Sequence, residues 1–441
     1  MEVAVQKRSF LPQTRKRETI LLIMLRDTSA AGLLMMSIVP GFLRVHFFGV
    51  LLALWAALAV LSNPKAFVRA YIVRNVQSYS VYLWLLIYGV FFFAGHMHGA
   101  GLDRVFNYAG IGFFMIFFRY YLECSDLIAV RVLSVFALIC IFFVSLTTLR
   151  GLALNPMAAR LLSTGIEELT IGLAGMGIGS YGFIYGLVFV VVAILGSTRA
   201  GTLAKHRFAA VALAVIFVYT IFSAAFTIAL LLLAISVTLL LLKIKNTSHF
   251  AIATIYILLF LLVISPVVST ALHVLGDSVG HEALSERFHE LAIISRTLSL
   301  ESSISTAGRL GLIALSARTF LSAPILGVGG RYGVYVTYDV IGGHASFFDH
   351  LAQYGIVGAW LLFVSLYSNV RCVYRRLVLG TQKQTYLCAM ITFFLLGCIN
   401  TMMTVPIISM VFFVTPGVIY SLGIDTREQL MRKDGSRDGR L

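Results

Sequence analysis

Charged residues are scarce in this sequence, and acidic residues are the scarcest of them. Only 12% of the 441 residues are charged, with 19 Asp and Glu against 34 Lys and Arg. Soluble domains usually carry about 25% charged residues, so this balance argues against a soluble enzyme. The chain is instead 59% hydrophobic, in long unbroken apolar runs such as 228–242 and 252–264. A spanning helix needs about 20 apolar residues, so these runs predict membrane helices.

Short alternating apolar segments, which would mark a transmembrane β-barrel, are missing as well. Lipid cannot hydrogen-bond an exposed backbone, so only helices and closed barrels span a bilayer. The mean hydropathy of +0.93 agrees with a chain that lies largely in lipid. The fold class predicted is therefore an all-α polytopic membrane protein.

Cysteines are few, and none suggests a metal site or a disulfide framework. The five are Cys124, Cys140, Cys372, Cys388 and Cys398, without the spacing of a metal site. We expect no metal and no cofactor. A small-residue cleavage site is also missing after the basic N-terminal residues, so we expect the first helix to remain as an uncleaved anchor.

The apolar runs predict about twelve membrane-spanning helices. They fall at residues 28–43, 46–62, 79–95, 105–121, 130–149, 177–196, 207–222, 224–242, 250–268, 349–368, 386–401 and 404–422. This divides the chain into helices one to nine (1–268), a long outer loop (269–348), helices ten to twelve (349–422) and a polar tail (423–441).

The formal net charge of +15 has a simple interpretation in such a chain. With both termini placed in the cytoplasm, most Lys and Arg residues fall at cytoplasmic helix ends, as the positive-inside rule requires. We therefore expect a lipid bilayer as the surroundings and no nucleic acid as a partner.

Two outer segments are too long to be simple turns. One covers 150–176 and the other covers 270–347. In the second, apolar residues recur at helical spacing over 302–321, which predicts a half-buried amphipathic helix that Pro324 ends. A glycine-rich stretch follows, with Gly327, Gly329, Gly330 and Gly333, and then Gly342 and Gly343.

The same loop holds arginines, a histidine and an aspartate that suit a phosphorylated substrate. Arginine binds phosphate through planar, bidentate hydrogen bonds, and histidine can move a proton near neutral pH. The candidates are Arg309, Arg318, Arg331, His344, Asp339 and Asp349. Simpler interpretations stay open: the arginines can be solvated or snorkelling, and His344 can cap a helix. We interpret His273, His281 and His289, spaced eight apart, as solvated.

The stretch 307–333, AGRLGLIALSARTFLSAPILGVGGRYG, followed by 342–362, GGHASFFDHLAQYGIVGAWLL, resembles the O-antigen ligase and polymerase superfamily. The shared pattern is Arg, an amphipathic helix, Pro-x-x-Gly-x-Gly, a spacer, His, and a helix entered through Gly-[IL]-x-Gly. Ligases tend to have His-Asn after the glycines, where this chain has His344-Ala345. The run from His344 to Asp349 is similar to Wzy-type repeat-unit polymerases.

The resemblance implies a GT-C-like glycosyltransferase in the bacterial inner (cytoplasmic) membrane. Its active site would face the periplasm, where it would polymerise undecaprenyl-pyrophosphate-linked repeat units into O-antigen or exopolysaccharide without a metal. The donor and the acceptor would both be lipid-linked glycans. A chain-length regulator protein is a further partner that the resemblance suggests.

The superfamily's functional residues carry over in part. Its loop arginine corresponds to Arg309 and its loop histidine to His344, so these two are the catalytic candidates. Its Ser-Arg-Gly element is similar to 197–201 (STRAG), which the topology places in the cytoplasm; by position the element should fall near 222–227, which has no arginine. Either the topology is shifted by one helix or another arginine substitutes. The candidates for substrate binding are Arg150, Arg160, Arg318, Arg331, Tyr332 and Asp349.

Two other functions remain in competition. A ligase would use the same donor but transfer finished glycan to lipid A core. A secondary transporter would suit twelve helices with both ends inside, although no repeat relates the two halves. The glycines at 172, 175, 177 and 179 are the best transporter-like feature.

Overall fold

A computed structural model describes residues 13–40, 45–72, 76–94, 102–164, 173, 175–199, 206–242, 265–278, 285, 288–289, 292, 304–329 and 341–421. Within these ranges 87% of the residues are helical and none forms a strand. The prediction of an all-α protein is confirmed for this part of the chain.

The described part of the chain contains sixteen helices, numbered in chain order. Their bounds are α1 Gln13–Ile38, α2 Val45–Ser62, α3 Pro64–Tyr71, α4 Val76–Phe93, α5 Leu102–Cys124, α6 Leu127–Leu154, α7 Ala158–Thr164, α8 Tyr181–Arg199, α9 Arg207–Ala224, α10 Thr227–Leu241, α11 Ser265–Ser278, α12 Ile304–Ser322, α13 Ser346–Arg376, α14 Gly380–Ile399, α15 Val405–Ser409 and α16 Thr415–Ser421. A π-helical turn, Met410–Val414, joins the last two.

Six of the described helices are long and apolar enough to cross a membrane, and shorter apolar helices accompany them. The six are α1 from Ile20 onward, α4, α6, α8, α9 and α13. The chain is therefore a multi-pass membrane protein. The predicted span 250–268 lies mostly outside the described residues, which take up the chain again at α11. The helix predicted over 302–321 is present as α12, which ends two residues before Pro324.

Helix α8 forms the centre of the bundle. Its spanning window is 83% buried, whereas those of α4, α9 and α13 are 33% buried. A helix that is apolar all round has no face suited to water, so it is stable where other helices surround it. Large apolar side chains on the outer helices, such as Val132 and Val215, stay exposed and suit a lipid environment.

Helix α13 is broken at Gly355, whose φ of 63° lies in the left-handed region. Such a break frees backbone groups, which are costly in lipid unless other groups satisfy them. The segment 323–329, which follows α12, lies against the break and satisfies them. Four backbone hydrogen bonds of 2.8–3.3 Å join the two: Val328 N to Ala352 O, Gly329 N to Gln353 O, Ile356 N to Pro324 O, and Val357 N to Ile325 O.

This pairing gives the glycine motifs of the sequence a structural role. A side chain at Gly327 would collide with the backbone of Gln353, and one at Gly355 with that of Ile325. Both positions must be glycine for the two backbones to approach so closely. Pro-x-x-Gly-x-Gly and Gly-[IL]-x-Gly are therefore the two halves of one contact, which fixes the outgoing end of α12 to α13.

The two ends of the bundle differ in charge. Helix α8 begins where Tyr185 meets Asn400, and it ends where Arg199 reaches the carbonyl of Leu241. The first end, which also carries the start of α13, is called the His344 end. The second is called the cation-rich end, because the described basic residues there include Lys65, Arg69, Arg119, Arg131, Arg199, Arg207, Arg371, Arg375, Arg376 and Lys383.

Candidate functional site

Residues 341–345, called the His344 turn, join the outer loop to α13. Asp349, in the first turn of α13, holds them by hydrogen bonds to its carboxylate: the amide of Gly343 donates to Oδ1 at 3.1 Å and the amide of Ala345 to Oδ2 at 2.9 Å. The carboxylate also suits the positive end of the helix dipole. His344 is half-buried and lies between Gly343 and Ala345, whose amides both donate to the side chain of Asp349.

Helix α12 closes the other side of the turn. Ser316 donates to Asp349 Oδ1 at 2.7 Å and accepts from the amide of Gly342 at 2.9 Å. Gly342 lies so close to Leu312 that a side chain there would strike its carbonyl. Positions 309, 312 and 316 recur at helical spacing and share one face of α12. That face is the one against the His344 turn, so the helix brings position 309 to the side of α12 that carries His344.

The other predicted substrate-binding residues are placed differently. Arg318 is exposed, two residues and therefore about 200° around α12 from Ser316. Arg150 is exposed near the end of α6, next to the turn where Thr147 donates to Gly177 O at 2.7 Å. Arg331 and Tyr332 lie outside the described residues.

The third support of the His344 turn is the segment after α14. Thr401 donates its hydroxyl to the carbonyl of Gly343 at 3.1 Å. The amide of Met402 donates to Ser346 Oγ at 2.8 Å, and the amide of Ser346 approaches Asn400 O at 3.3 Å. The turn is therefore held by residues from α12, α13 and the end of α14, which leaves His344 little backbone freedom.

Arg160, on the short helix α7, is half-buried against the segment that follows α9. Its guanidinium donates to the carbonyl of Ala225 and lies 5.6 Å from the ring centre of Phe226. A cation over an aromatic face is attracted by the ring quadrupole. Residue 225 belongs to the stretch 222–227. The resemblance to the superfamily predicts an arginine in that stretch, but the sequence has none there.

A chain of contacts links Arg160 to the His344 turn. The ring of Phe226 lies 6.0 Å from that of Tyr185, centre to centre, and Tyr185 Oη accepts from Asn400 Nδ2 at 2.8 Å. Asn400 is the residue whose carbonyl meets Ser346. The predicted residues connected to the His344 turn in this way are Arg160 and Asp349, with position 309 on the adjoining face of α12.

Arg199 lies apart from this group. It ends α8 at the cation-rich end, with its guanidinium 3.4 Å from Leu241 O. Nineteen residues of helix separate the two ends of α8, which is about 28 Å. Arg199 and the His344 turn therefore lie toward opposite ends of α8.

Sequence reasoning missed three residues of the site, Ser316, Tyr185 and Asn400. Each is a polar residue in an apolar segment, which was a usable signal, but only contacts across the fold distinguish a site residue from a packing one. A second missed group lies deeper along α13. The buried atoms His350 Nε2, Gln353 Nε2 and Trp84 Nε1 have no hydrogen-bond partner, and the rings of His350 and Trp84 stack at 6.1 Å.

Possible metal ligands do not gather in the described residues: no three His, Cys, Asp or Glu side chains there come together. The arrangement instead offers an imidazole on a fixed turn, with Arg160 linked to the same end of the bundle. Such a set can bind an anionic group and take up a proton. No known protein-family profile matches the chain, and no curated protein matches it either.

Proposed function

We propose that this chain is a polysaccharide polymerase of the O-antigen ligase and polymerase superfamily, most like the Wzy-type enzymes. It would join undecaprenyl-pyrophosphate-linked repeat units at the periplasmic face of the bacterial inner membrane, for O-antigen or exopolysaccharide. The observation that carries the proposal is the grouping just described: the motif histidine sits on a fixed turn, with the motif arginine's position on the adjoining face of α12.

The membrane arrangement supports an outward-facing site. Lys and Arg concentrate at the opposite end of the bundle, and the positive-inside rule places such an end in the cytoplasm. The His344 end would then face the periplasm, where no nucleotide sugar or ATP is supplied. A donor activated by its own lipid pyrophosphate fits that compartment. The proposal keeps about twelve spans and a GT-C-like fold.

Arginines would bind the pyrophosphate. In the proposed reaction, an acceptor hydroxyl oxygen bonds to the anomeric carbon of the donor sugar. The bond from that carbon to pyrophosphate oxygen breaks, and undecaprenyl pyrophosphate leaves with the bond's electrons. Arg309 of α12 and Arg160 of α7 would supply these contacts, and fixed donors on a developing anion are worth about 3–4 kcal/mol each. Arg160 would do the work of the missing arginine in 222–227.

His344 would take the proton from the attacking hydroxyl. A positioned general base contributes about 10²–10⁴-fold, provided that the base is held in place. The three supports of the His344 turn supply that rigidity. Asp349 then acts mainly as a positioning residue, since its two oxygens accept bonds from Gly343, Ala345 and Ser316. Arg150, Arg318, Arg331 and Tyr332 remain candidates for contacts with the glycan.

The proposal is tested with the purified full chain in liposomes. A lipid-linked repeat unit should be converted to a ladder of polymers, and a chelator should leave the ladder unchanged. If glycan were transferred only to lipid A core, the chain would be assigned as a ligase, which uses the same donor and the same chemistry. No product with either acceptor would reject the glycosyltransferase assignment.

One observation favours the transporter as a second candidate. Broken spanning helices are typical of transporter binding sites, and α13 is broken at Gly355 with buried His350 nearby. The segment 323–329 fills that break, however, which leaves its backbone unavailable to a solute. Uptake of a solute by the same liposomes, without ladder formation, would favour the transporter.

A further inference from the structure

A groove of about 420 Å³ opens at the cation-rich end, far from the His344 turn. Helices α6 and α9 form its two walls, and Ile194 of α8 is part of its lining. Arg131, in the second turn of α6, and His206, the residue before α9, both line it, so the two helices begin at the same mouth. The groove belongs to no part of the candidate site.

The walls of the groove are almost wholly apolar. Val135, Ile139 and Phe142 line it from α6, and Ala209 and Leu213 line it from α9. Val135 and Ile139 are themselves 42% and 48% exposed, so the groove opens outward. On a membrane protein this surface faces acyl chains, and an apolar occupant is the one that fits.

The mouth of the groove is basic. Its polar lining residues are Arg131 and His206. Asp126, the acid at the start of α6, is already bound by Arg26 at 2.8 Å and by the amide of Ala129. His206 begins α9 without a side-chain capping bond, so the first amides of that helix add positive character.

The length of the groove matches one leaflet of a bilayer. From Arg131 to Phe142 the helix rises about 16 Å, and a bilayer's hydrocarbon core is about 30 Å thick. A chain lying along the wall from a headgroup at Arg131 would end near the membrane centre. Basic pockets between spanning helices on the cytoplasmic side bind anionic headgroups.

We propose that this groove binds one anionic phospholipid of the leaflet at the cation-rich end. Its acyl chain would lie between α6 and α9, and its phosphate would be bound by Arg131 and His206. The charge at the mouth selects an anionic lipid over a zwitterionic one. The inference does not depend on the proposed glycosyl transfer, because it concerns the opposite end of the bundle.

The experiment uses the purified, delipidated full chain in detergent. Thermal unfolding and native mass spectrometry are recorded with added phosphatidylglycerol, phosphatidylcholine or a polyprenyl phosphate. Phosphatidylglycerol should be retained and should raise the melting temperature more than phosphatidylcholine does. Arg131→Gln with His206→Gln should weaken its binding about ten-fold or more, as expected for the loss of charged hydrogen bonds.

Two further variants keep the test decisive. Arg371→Gln removes an exposed cation at the same end of the bundle but on α13, so it should leave lipid binding unchanged. Ala209→Leu fills the groove from an exposed position and should abolish lipid retention without removing any charge. Equal binding of both phospholipids, unchanged binding after Ala209→Leu, or stronger binding of the polyprenyl phosphate would overturn the proposal.

Discussion

The two ends of the bundle use their acidic residues in opposite ways. At the cation-rich end, buried Arg26 binds Asp27 at 2.7 Å and Asp126 at 2.8 Å, and its guanidinium lies 5.3 Å from the ring centre of Tyr121. The acidic side chains there are bound by one buried arginine. At the His344 end, the carboxylate of Asp349 is bound by two amides and a serine hydroxyl instead.

This difference separates a structural charge from a functional one. Arg26 and its partners, called the Arg26 cluster, connect α1 to α5 and to the start of α6. The charge of Arg26 therefore serves the stability of the fold. Asp349 shapes the His344 turn, and Arg160 donates to a neutral carbonyl. In the proposed function, Arg160 and Arg309 at that end bind an anionic ligand.

Replacement of the turn histidine should have the largest effect. His344→Ala should lower the rate of ladder formation by about 10²–10⁴-fold, because the general base is lost. Membrane insertion and the melting temperature should stay close to those of the parent. His273→Ala is the matched control, since it removes a histidine that meets His289 on the same outer loop. Long polymer made by His344→Ala would contradict the base assignment.

Breaking the Arg26 cluster should affect stability rather than chemistry. Arg26→Ala leaves two carboxylates beside a buried site, and such a loss costs about 3–5 kcal/mol. The yield of folded protein and its melting temperature should fall, while turnover per folded molecule is unchanged. Thermal unfolding and an active-site-normalised ladder assay measure both. A selective loss of turnover at normal stability would show that the two ends do not divide their roles in this way.

The two arginines of α12 provide an internal comparison. Arg309→Lys keeps the charge but loses the planar, bidentate geometry, so ladder formation should fall by about 10²–10³-fold. Arg318→Lys, on another face of the same helix, should change the rate only a few-fold. The rates are measured with the same lipid-linked substrate. If both variants lost the same amount of ladder-forming activity, the face of α12 on which an arginine lies would not determine its role in the reaction.

Asp349→Asn should have the smallest effect of the four. One oxygen remains to accept hydrogen bonds, so the cost in stability should be about 1–3 kcal/mol. If the residue positions the His344 turn, Ser316→Ala should resemble it, and the pH dependence of turnover should keep its shape. A pH profile displaced by Asp349→Asn but not by Ser316→Ala would assign Asp349 to direct contact with His344.

Much of the fold follows from local sequence. The apolar runs require helices wherever lipid surrounds the chain, and α12 forms where a helix was predicted and ends just before Pro324. Helix bounds were less predictable: α1 begins at Gln13 rather than near residue 28, because polar residues extend the helix beyond the apolar run. The π-helical turn at Met410–Val414 left no local signal.

The order of residues is enough to identify a helical membrane chain with a polar outer segment and a small set of candidate arginines and histidines. How these residues are used depends on contacts between distant parts of the chain. Arg160 reaches the carbonyl of Ala225, 65 residues away, and Asp349 shares Ser316 with the turn it holds. The backbone groups freed by the break at Gly355 are hydrogen-bonded by the segment 323–329, which precedes the His344 turn in the sequence. Composition and hydrophobic periodicity depend only on residues that are close in the sequence. The hydrogen bonds of a buried polar group depend instead on which distant part of the backbone the fold brings next to it.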